Sequence, residues 1–203
     1  TVESADAAAD RATELGATVI APPFDVFDAG RMAVFADPQG AVLSVWEPKE
    51  NIGAGLVNAP GALSWNDLIS PDVEASAEFY RALFDWQVEE IPGAEGQYWS
   101  ITNAGHSNGG MMPMPPGSHP AWNLYFAVDD VDATNARATE LGATPNQVVL
   151  AWLMQGQPPI LPVVGASSVA QLDELLGAVD LRLDTDVRRR LDTAGHPTMV
   201  GAR

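Results

Sequence analysis

The sequence predicts an α+β chain in which strands and single helices alternate in two related units, followed by a mainly helical tail. Three observations predict this. The eight residues Arg-Ala-Thr-Glu-Leu-Gly-Ala-Thr at Arg11–Thr18 return unbroken at Arg137–Thr144, an offset of 126. The likeness extends backwards, where Val2 meets Val128, Asp6 meets Asp132 and Ala7 meets Ala133, so the copied unit begins before the shared octet. Downstream the two copies diverge at once. Val19-Ile20-Ala21-Pro22-Pro23 reads as a strand reaching a turn, whereas Pro145-Asn146-Gln147-Val148-Val149-Leu150-Ala151-Trp152-Leu153 reads as a helix start.

Ser4 or Glu3 opens the first helix, whose Ala5, Ala8, Ala9, Ala12 and Leu15 form a thin apolar stripe that Gly16 ends. Strands follow at Thr18 to Ala21, which Pro22-Pro23 should break, at Met32 to Ala36 and at Ala41 to Trp46. The last is entered through Asp37-Pro38-Gln39-Gly40, which carries the residue preferences of a type I turn. Residues 49–61 are rich in Gly, Asn and Pro and have no period, so they read as a linker. A fuller unit then opens with a strand at Leu63 to Ile69 and a helix started by Ser70-Pro71-Asp72. The apolar face of that helix is broad: Val73, Ala77, Tyr80 and Phe84 with Phe79 and Leu83. Asp85 stands where a glycine C-cap is expected, and Asp tolerates left-handed dihedrals there. Strands at Trp86 to Ile91, Tyr98 to Thr102 and Gly109 to Met114 complete the unit, and a strand at Trp122 to Val128 leads into the helix carrying the second octet, Val131 to Leu141.

Charge narrows the partners. With 27 acidic and 10 basic residues the formal net charge is −17, which repels a phosphate backbone or an anionic membrane surface, so neither nucleic acid nor membrane is expected as a partner. Arg188-Arg189-Arg190 sits among Asp184, Asp186 and Asp192 and reads as a solvated helix face. The chain has no cysteine, compatible with a reducing cytoplasm, where the protein is expected. No apolar run approaches the roughly 18 residues of a membrane span. The chain lacks a starting Met and opens inside a recognisable unit, which points to a fragment, and its incomplete units favour self-association as a homodimer.

The residues Trp65-Asn66-Asp67-Leu68, Asp72-Val73-Glu74-Ala75-Ser76-Ala77-Glu78-Phe79-Tyr80 and Leu83-Phe84-Asp85-Trp86 resemble the opening of a glyoxalase/bleomycin-resistance/dioxygenase module, the vicinal oxygen chelate superfamily. Tyr125-Phe126-Ala127-Val128-Asp129-Asp130-Val131-Asp132-Ala133 and Ala36-Asp37-Pro38-Gln39-Gly40-Ala41 resemble its second-module opening and its closing turn and strand. The resemblance covers residues 1–144 and implies glyoxalase-like βαβββ modules forming a cupped mixed sheet, with the site on the concave side. It divides the chain into a C-terminal module lacking its first strand (1–48), a linker (49–61), and the N-terminal module of a second domain with the next strand and helix (62–144), ahead of residues 145–203. A permuted cup is expected, in which the strand Trp122 to Val128 takes the place of the one the first module lacks.

Metal-dependent members of that superfamily hold a divalent ion through a His or Gln on the first strand of a module and a Glu on the last. The corresponding positions here are Trp65 and Ser44, so no metal is expected. Asp67 shares strand parity with Trp65, whereas Glu47 has the opposite parity to Ser44. His106 and His119 fall in Gly/Pro-rich loops without a carboxylate at metal spacing. Trp65, Asp67, Trp99, Met112 and Trp122 are the candidate ligand-pocket residues, although strand aromatics more often build an ordinary core.

From Thr144 the character changes. Thr144-Pro145-Asn146-Gln147-Val148-Val149-Leu150-Ala151-Trp152-Leu153, Ile160-Leu161-Pro162-Val163-Val164-Gly165-Ala166-Ser167-Ser168 and Asp180-Leu181-Arg182-Leu183-Asp184 resemble the tail of an aldo-keto reductase, a (β/α)8 barrel that uses NADPH. The resemblance implies a mainly helical segment derived from the end of such a barrel, with Gly165, Ser167 and Ser168 as a vestigial NADP phosphate loop at a helix N-terminus. The catalytic Asp, Tyr, Lys and His of that family have no counterpart before Thr144, so carbonyl reduction is not expected. The functional expectation is a metal-free small-molecule binder of the glyoxalase/bleomycin-resistance kind, or a degenerate lyase- or hydroxylase-type enzyme in chimeric form. The alternatives are an NADP-dependent aldo-keto reductase fragment and an inactive fusion.

Overall fold

The computed structural model describes residues 1–59, 62–93, 96–156 and 169–194. In order its elements are α1 (Ala5–Glu14), β1 (Thr18–Val26), β2 (Gly30–Ala36), β3 (Val42–Pro48), β4 (Leu63–Ser70), α2 (Val73–Phe84), β5 (Gln87–Glu90), β6 (Trp99–Asn103), β7 (His106–Pro113), β8 (Ala121–Phe126), α3 (Val131–Glu140), α4 (Pro145–Gln155), α5 (Val169–Asp180) and α6 (Thr185–Ala194). The fold is α+β and divides into two compact units, Thr1–Gly55 with Trp65–Tyr125 and Leu56–Ser64 with Phe126–Arg203. The second unit crosses the boundary drawn at Thr144, because Ala138 of α3 shares a small core with Val148 and Ala151 of α4 and with Leu183 and Val187.

The shared octet folds the same way twice. The Gly16 and Ala17 amides bond the Thr13 and Ala12 carbonyls at 3.0 and 2.9 Å; the Gly142 and Ala143 amides bond Thr139 and Ala138 at 3.0 Å each. Both are the double closure of a helix on a left-handed glycine, with φ of 93° at Gly16 and 63° at Gly142. The residue after each octet decides how the chain continues. Val19 extends Thr18 into β1, whereas Pro145 fits the first turn of a helix, and Thr144 and Gln147 exchange the two bonds of a capping box at 3.2 and 2.9 Å.

In the first sheet β1, β2 and β3 pair antiparallel in that order, and α1 lays Ala5, Ala9 and Ala12 on Ala33, Phe35 and Val45. Helix α1 begins on Ser4, whose Oγ accepts from the Ala7 amide, and the Glu47 carboxylate takes the Ala5 amide at 2.8 Å. Contrary to the expected break, β1 runs through Pro22-Pro23 to Val26. It is an edge strand, so the missing N–H groups need not cost ladder bonds, and register shifts at Val19/Ala21 and Ala21/Phe24 absorb the irregularity.

The second sheet has the order β5-β6-β7-β4-β8. Strands β5, β6 and β7 run antiparallel in turn, while β4 pairs parallel with β7, Asp67 opposite Gly110 and Ser70 opposite Pro113. Strand β7 begins at His106, three residues before the expected start. Helix α2 is capped by Asp72, which accepts from the Ala75 amide at 3.0 Å, and ends on Asp85 at φ 57° and ψ 30°, the left-handed stop expected there. It buries Ala77, Phe79 and Tyr80 against Leu68, Val88, Ile101 and Met111. Strand β8 stands beside β4; among the described residues no ladder joins it to β3, so the expected single cup is two sheets.

A buried relay crosses between these sheets. Trp122 Nε1 donates to Tyr80 Oη at 3.0 Å, and Tyr80 Oη donates to Asp37 Oδ2 at 2.9 Å. Asp37 Oδ1 accepts from the Gln39 and Ala41 amides at 2.9 Å each, holding the turn into β3. Tyr80 is fully buried, stacked on Trp86 and edge-on to Trp122, and Asp37 is 4% exposed. Burial holds the Asp37 carboxyl above its ordinary range, opposed by the bonds from Ala41 and Tyr80, and burial likewise pushes the Tyr80 phenol well up. Because the folded Asp37 titrates above the ordinary 3.8, the stability it contributes is present below that pH and lost as pH rises through the folded value. Removing the Tyr80 donor raises that folded value further. Tyr80→Phe is therefore expected to cost about 1–3 kcal/mol in urea unfolding at neutral pH and measurably less in acid, where Asp37 is protonated in both states.

Candidate functional site

Alternation along β4 assigns its side chains. Leu68 and Ser70 lie under α2, so Trp65 and Asp67 occupy the opposite face, and Met112 joins them because it follows by two the Gly110 that pairs with Asp67. On this face Asp67 is only 5% exposed. Its Oδ1 accepts from Trp65 Nε1 at 2.9 Å and from Tyr98 Oη at 2.7 Å, while the indole N–H also lies 3.0 Å from Tyr98 Oη. Tyr125 of β8 lies on the same side, near enough to the Asp67 carboxylate for the acid to raise its phenol. Three aromatic side chains thus turn their polar edges onto one acid.

Gly110 makes the arrangement possible. A Cβ there would overlap Tyr98 Oη and come within 2.7 Å of Asp67 Oδ1, so any larger residue would part the phenol from the acid. Burial, followed by the bond to Asp67, pushes the Tyr98 phenol up to about 12 and moves Tyr125 in the same direction. Both therefore remain O–H donors at neutral pH.

Of the five pocket residues read from the sequence, the structure brings Trp65, Asp67 and Met112 together and separates the other two. Trp99 pairs with Met111 and packs on the core beneath α2, and Trp122 belongs to the Tyr80 cluster. Tyr98 and Tyr125 take their place beside Asp67. For Tyr125 the signal was strand parity, opposite to Trp122 on β8. Tyr98 lies just before β6 but opens the strand expected at Tyr98 to Thr102, where its parity, opposite to Trp99, was the signal.

The donor set does not fit a divalent ion. The indole N–H of Trp65 has no lone pair to give, Ser44 is exposed on β3, and Asp67, whose Oδ1 already receives an N–H and an O–H donor, would be a single carboxylate ligand. Glu47 is occupied at the α1 N-terminus. Among the described residues no group of three His, Cys, Asp or Glu converges as a metal site would require. His106 is exposed at the start of β7 and His119 is half-buried. Gly165, Ser167 and Ser168, with the strand expected at Ile160 to Val164, lie outside the described residues. No described helix is long and apolar enough to cross a membrane.

Known proteins resemble this chain in two ways. CFP32 of Mycobacterium tuberculosis, whose name proposes a glyoxylase, is 37% identical over 180 residues, 88% of this chain and 65% of that protein. DnrV of Streptomyces peucetius, an anthracycline biosynthesis protein, is 35% identical over 144 residues, 70% of this chain and 52% of DnrV. Residues 100–195 match the aldo/keto reductase family, and pyridoxine 4-dehydrogenase of Escherichia coli is 53% identical over 55 residues, 27% of this chain and 19% of the enzyme. The chain thus spans just under two thirds of CFP32 and about half of DnrV. Over most of the chain the likeness is thus to proteins of the glyoxalase type. A match of 180 residues runs past Thr144, so the glyoxalase and reductase likenesses overlap instead of meeting at one point.

Asp67→Asn tests the site chemistry. Losing the carboxylate should bring the Tyr98 phenol down from about 12 toward the ordinary 10 while burial keeps it above that value, read from tyrosinate absorbance against pH. An unmoved titration would show that Asp67 and Tyr98 are not coupled.

Proposed function

We propose that the first compact unit is a small-molecule binding module of the glyoxalase/bleomycin-resistance kind. It takes a flat aromatic ligand on the face formed by Trp65, Asp67, Tyr98, Met112 and Tyr125, without a catalytic metal. The observation that carries this reading is the convergence of Trp65, Tyr98 and Tyr125 on the buried Asp67. Ring faces and a thioether supply apolar contact, and the fixed acid supplies orientation, which is the composition of a ligand site. DnrV, named for anthracycline biosynthesis, adds support for a polycyclic aromatic ligand.

The reductase reading rests on the match at residues 100–195. Residues 1–99 fall outside that match, so NADPH serves as the comparison ligand. An anthracycline should quench tryptophan fluorescence saturably, and Trp65→Ala should weaken binding about tenfold through loss of ring contact. Quenching that never saturates, or that Trp65→Ala leaves unchanged, contradicts the assignment; saturable binding of NADPH in its place would favour the reductase reading.

A further inference from the structure

We infer that the ligand of this face carries an organic ammonium group, seated against the Trp65, Tyr98 and Tyr125 rings with Asp67 as its buried counter-charge. The inference rests on the binding-module reading and adds the charge of the ligand to it.

The first argument is the charge balance around Asp67. The carboxylate is 5% exposed, its described hydrogen-bond partners are the Trp65 indole N–H and the Tyr98 phenol, and the Tyr125 phenol lies near it, all neutral. Before Arg137 the sequence has four Lys or Arg residues, Arg11, Arg31, Lys49 and Arg81, and every one is engaged elsewhere. Arg11 pairs with Glu14, Arg31 with Asp6 and Asp25, Lys49 with Asp25, and Arg81 with Glu74. A buried carboxylate is normally matched by a cation, and the first unit offers none here.

The second argument is the chemistry of the surrounding groups. A hydrogen bond donated to an anion leaves electron density on the donor's ring, and ring faces attract cations. Trp65 and Tyr98 are half-buried and Tyr125 is 43% exposed, so their rings remain in part accessible to a ligand. A small, strongly hydrated metal ion would need several converging ligands, and among the described residues no second acid, His or Cys joins Asp67 in such a group. An alkylated ammonium needs no lone pairs, sheds water readily and suits an aromatic wall. The net charge of −17 adds a long-range field that concentrates cations near the protein.

The test compares choline with its uncharged carbon isostere, dimethylbutanol, by calorimetry on the full chain, alongside anthracycline quenching. The wild-type protein is expected to prefer choline by about tenfold or more, with the preference falling as salt rises. Asp67→Asn should abolish most of that preference, with near-ultraviolet circular dichroism showing that the fold is kept. Tyr125→Leu changes a partly exposed ring without emptying the core, and should weaken choline several-fold even if Asp67→Asn folds poorly. Equal binding of the two probes, no choline binding, or a preference unchanged in both variants would overturn the inference. If choline fails while anthracycline still quenches, the ammonium assignment alone falls; if neither binds, the binding-module reading falls with it.

Discussion

Tyr80 takes one hydrogen bond from Trp122 and gives one to Asp37, and the arrangement of the first unit depends on that phenol. Each partner comes from a different part of the sequence: the turn before β3, the middle of α2, and β8. Alone, the three-stranded first sheet is thin, covered by a helix whose inward residues are alanines. The relay ties its turn to the aromatic cluster of the second sheet, where Phe79, Phe84, Trp86 and Trp122 surround the same ring. Three donors offset part of the cost of burying the Asp37 carboxylate, and with one donor removed less of that cost is offset.

The same two-faced sheet explains the candidate site. One face of β4 and β7 is given to the core through Leu68 and Met111, which leaves Asp67, Gly110 and Met112 on the other. Because β8 lies beside β4, it delivers Trp122 to the core side and Tyr125 to the Asp67 side from neighbouring parities. The core and the candidate site therefore share strands without sharing residues.

Much of the local structure was legible because single residues decide it. Gly16 and Gly142 stop their helices identically, Asp85 takes the left-handed position, and Pro145 with Gln147 turns the second octet into a helix start. Pro22-Pro23 misled because proline breaks a central strand but is tolerated at an edge, and a sequence does not say which strand is the edge. The pocket was legible only in part: Trp65, Asp67 and Met112 follow from parity on β4 and β7, but Trp99 and Trp122 were grouped with them by residue type, and type does not report the face. Tyr98 was missed because Trp99 beside it was chosen by residue type, although the parity of the expected strand puts Tyr98 on the Asp67 side, in space that Gly110 leaves open.

The central claim is that both parts of the first unit fold as one body through the Tyr80 relay. Native-state hydrogen exchange tests it most directly, comparing the Ala41 amide, bonded to Asp37 in the first part, with the Ile101 amide in β6 of the second. The account predicts that both open with the same free energy in the wild type and that Tyr80→Phe lowers them together. An Ala41 amide that exchanges independently of Ile101, with either unmoved by Tyr80→Phe, would show that the two parts are held by something other than this relay.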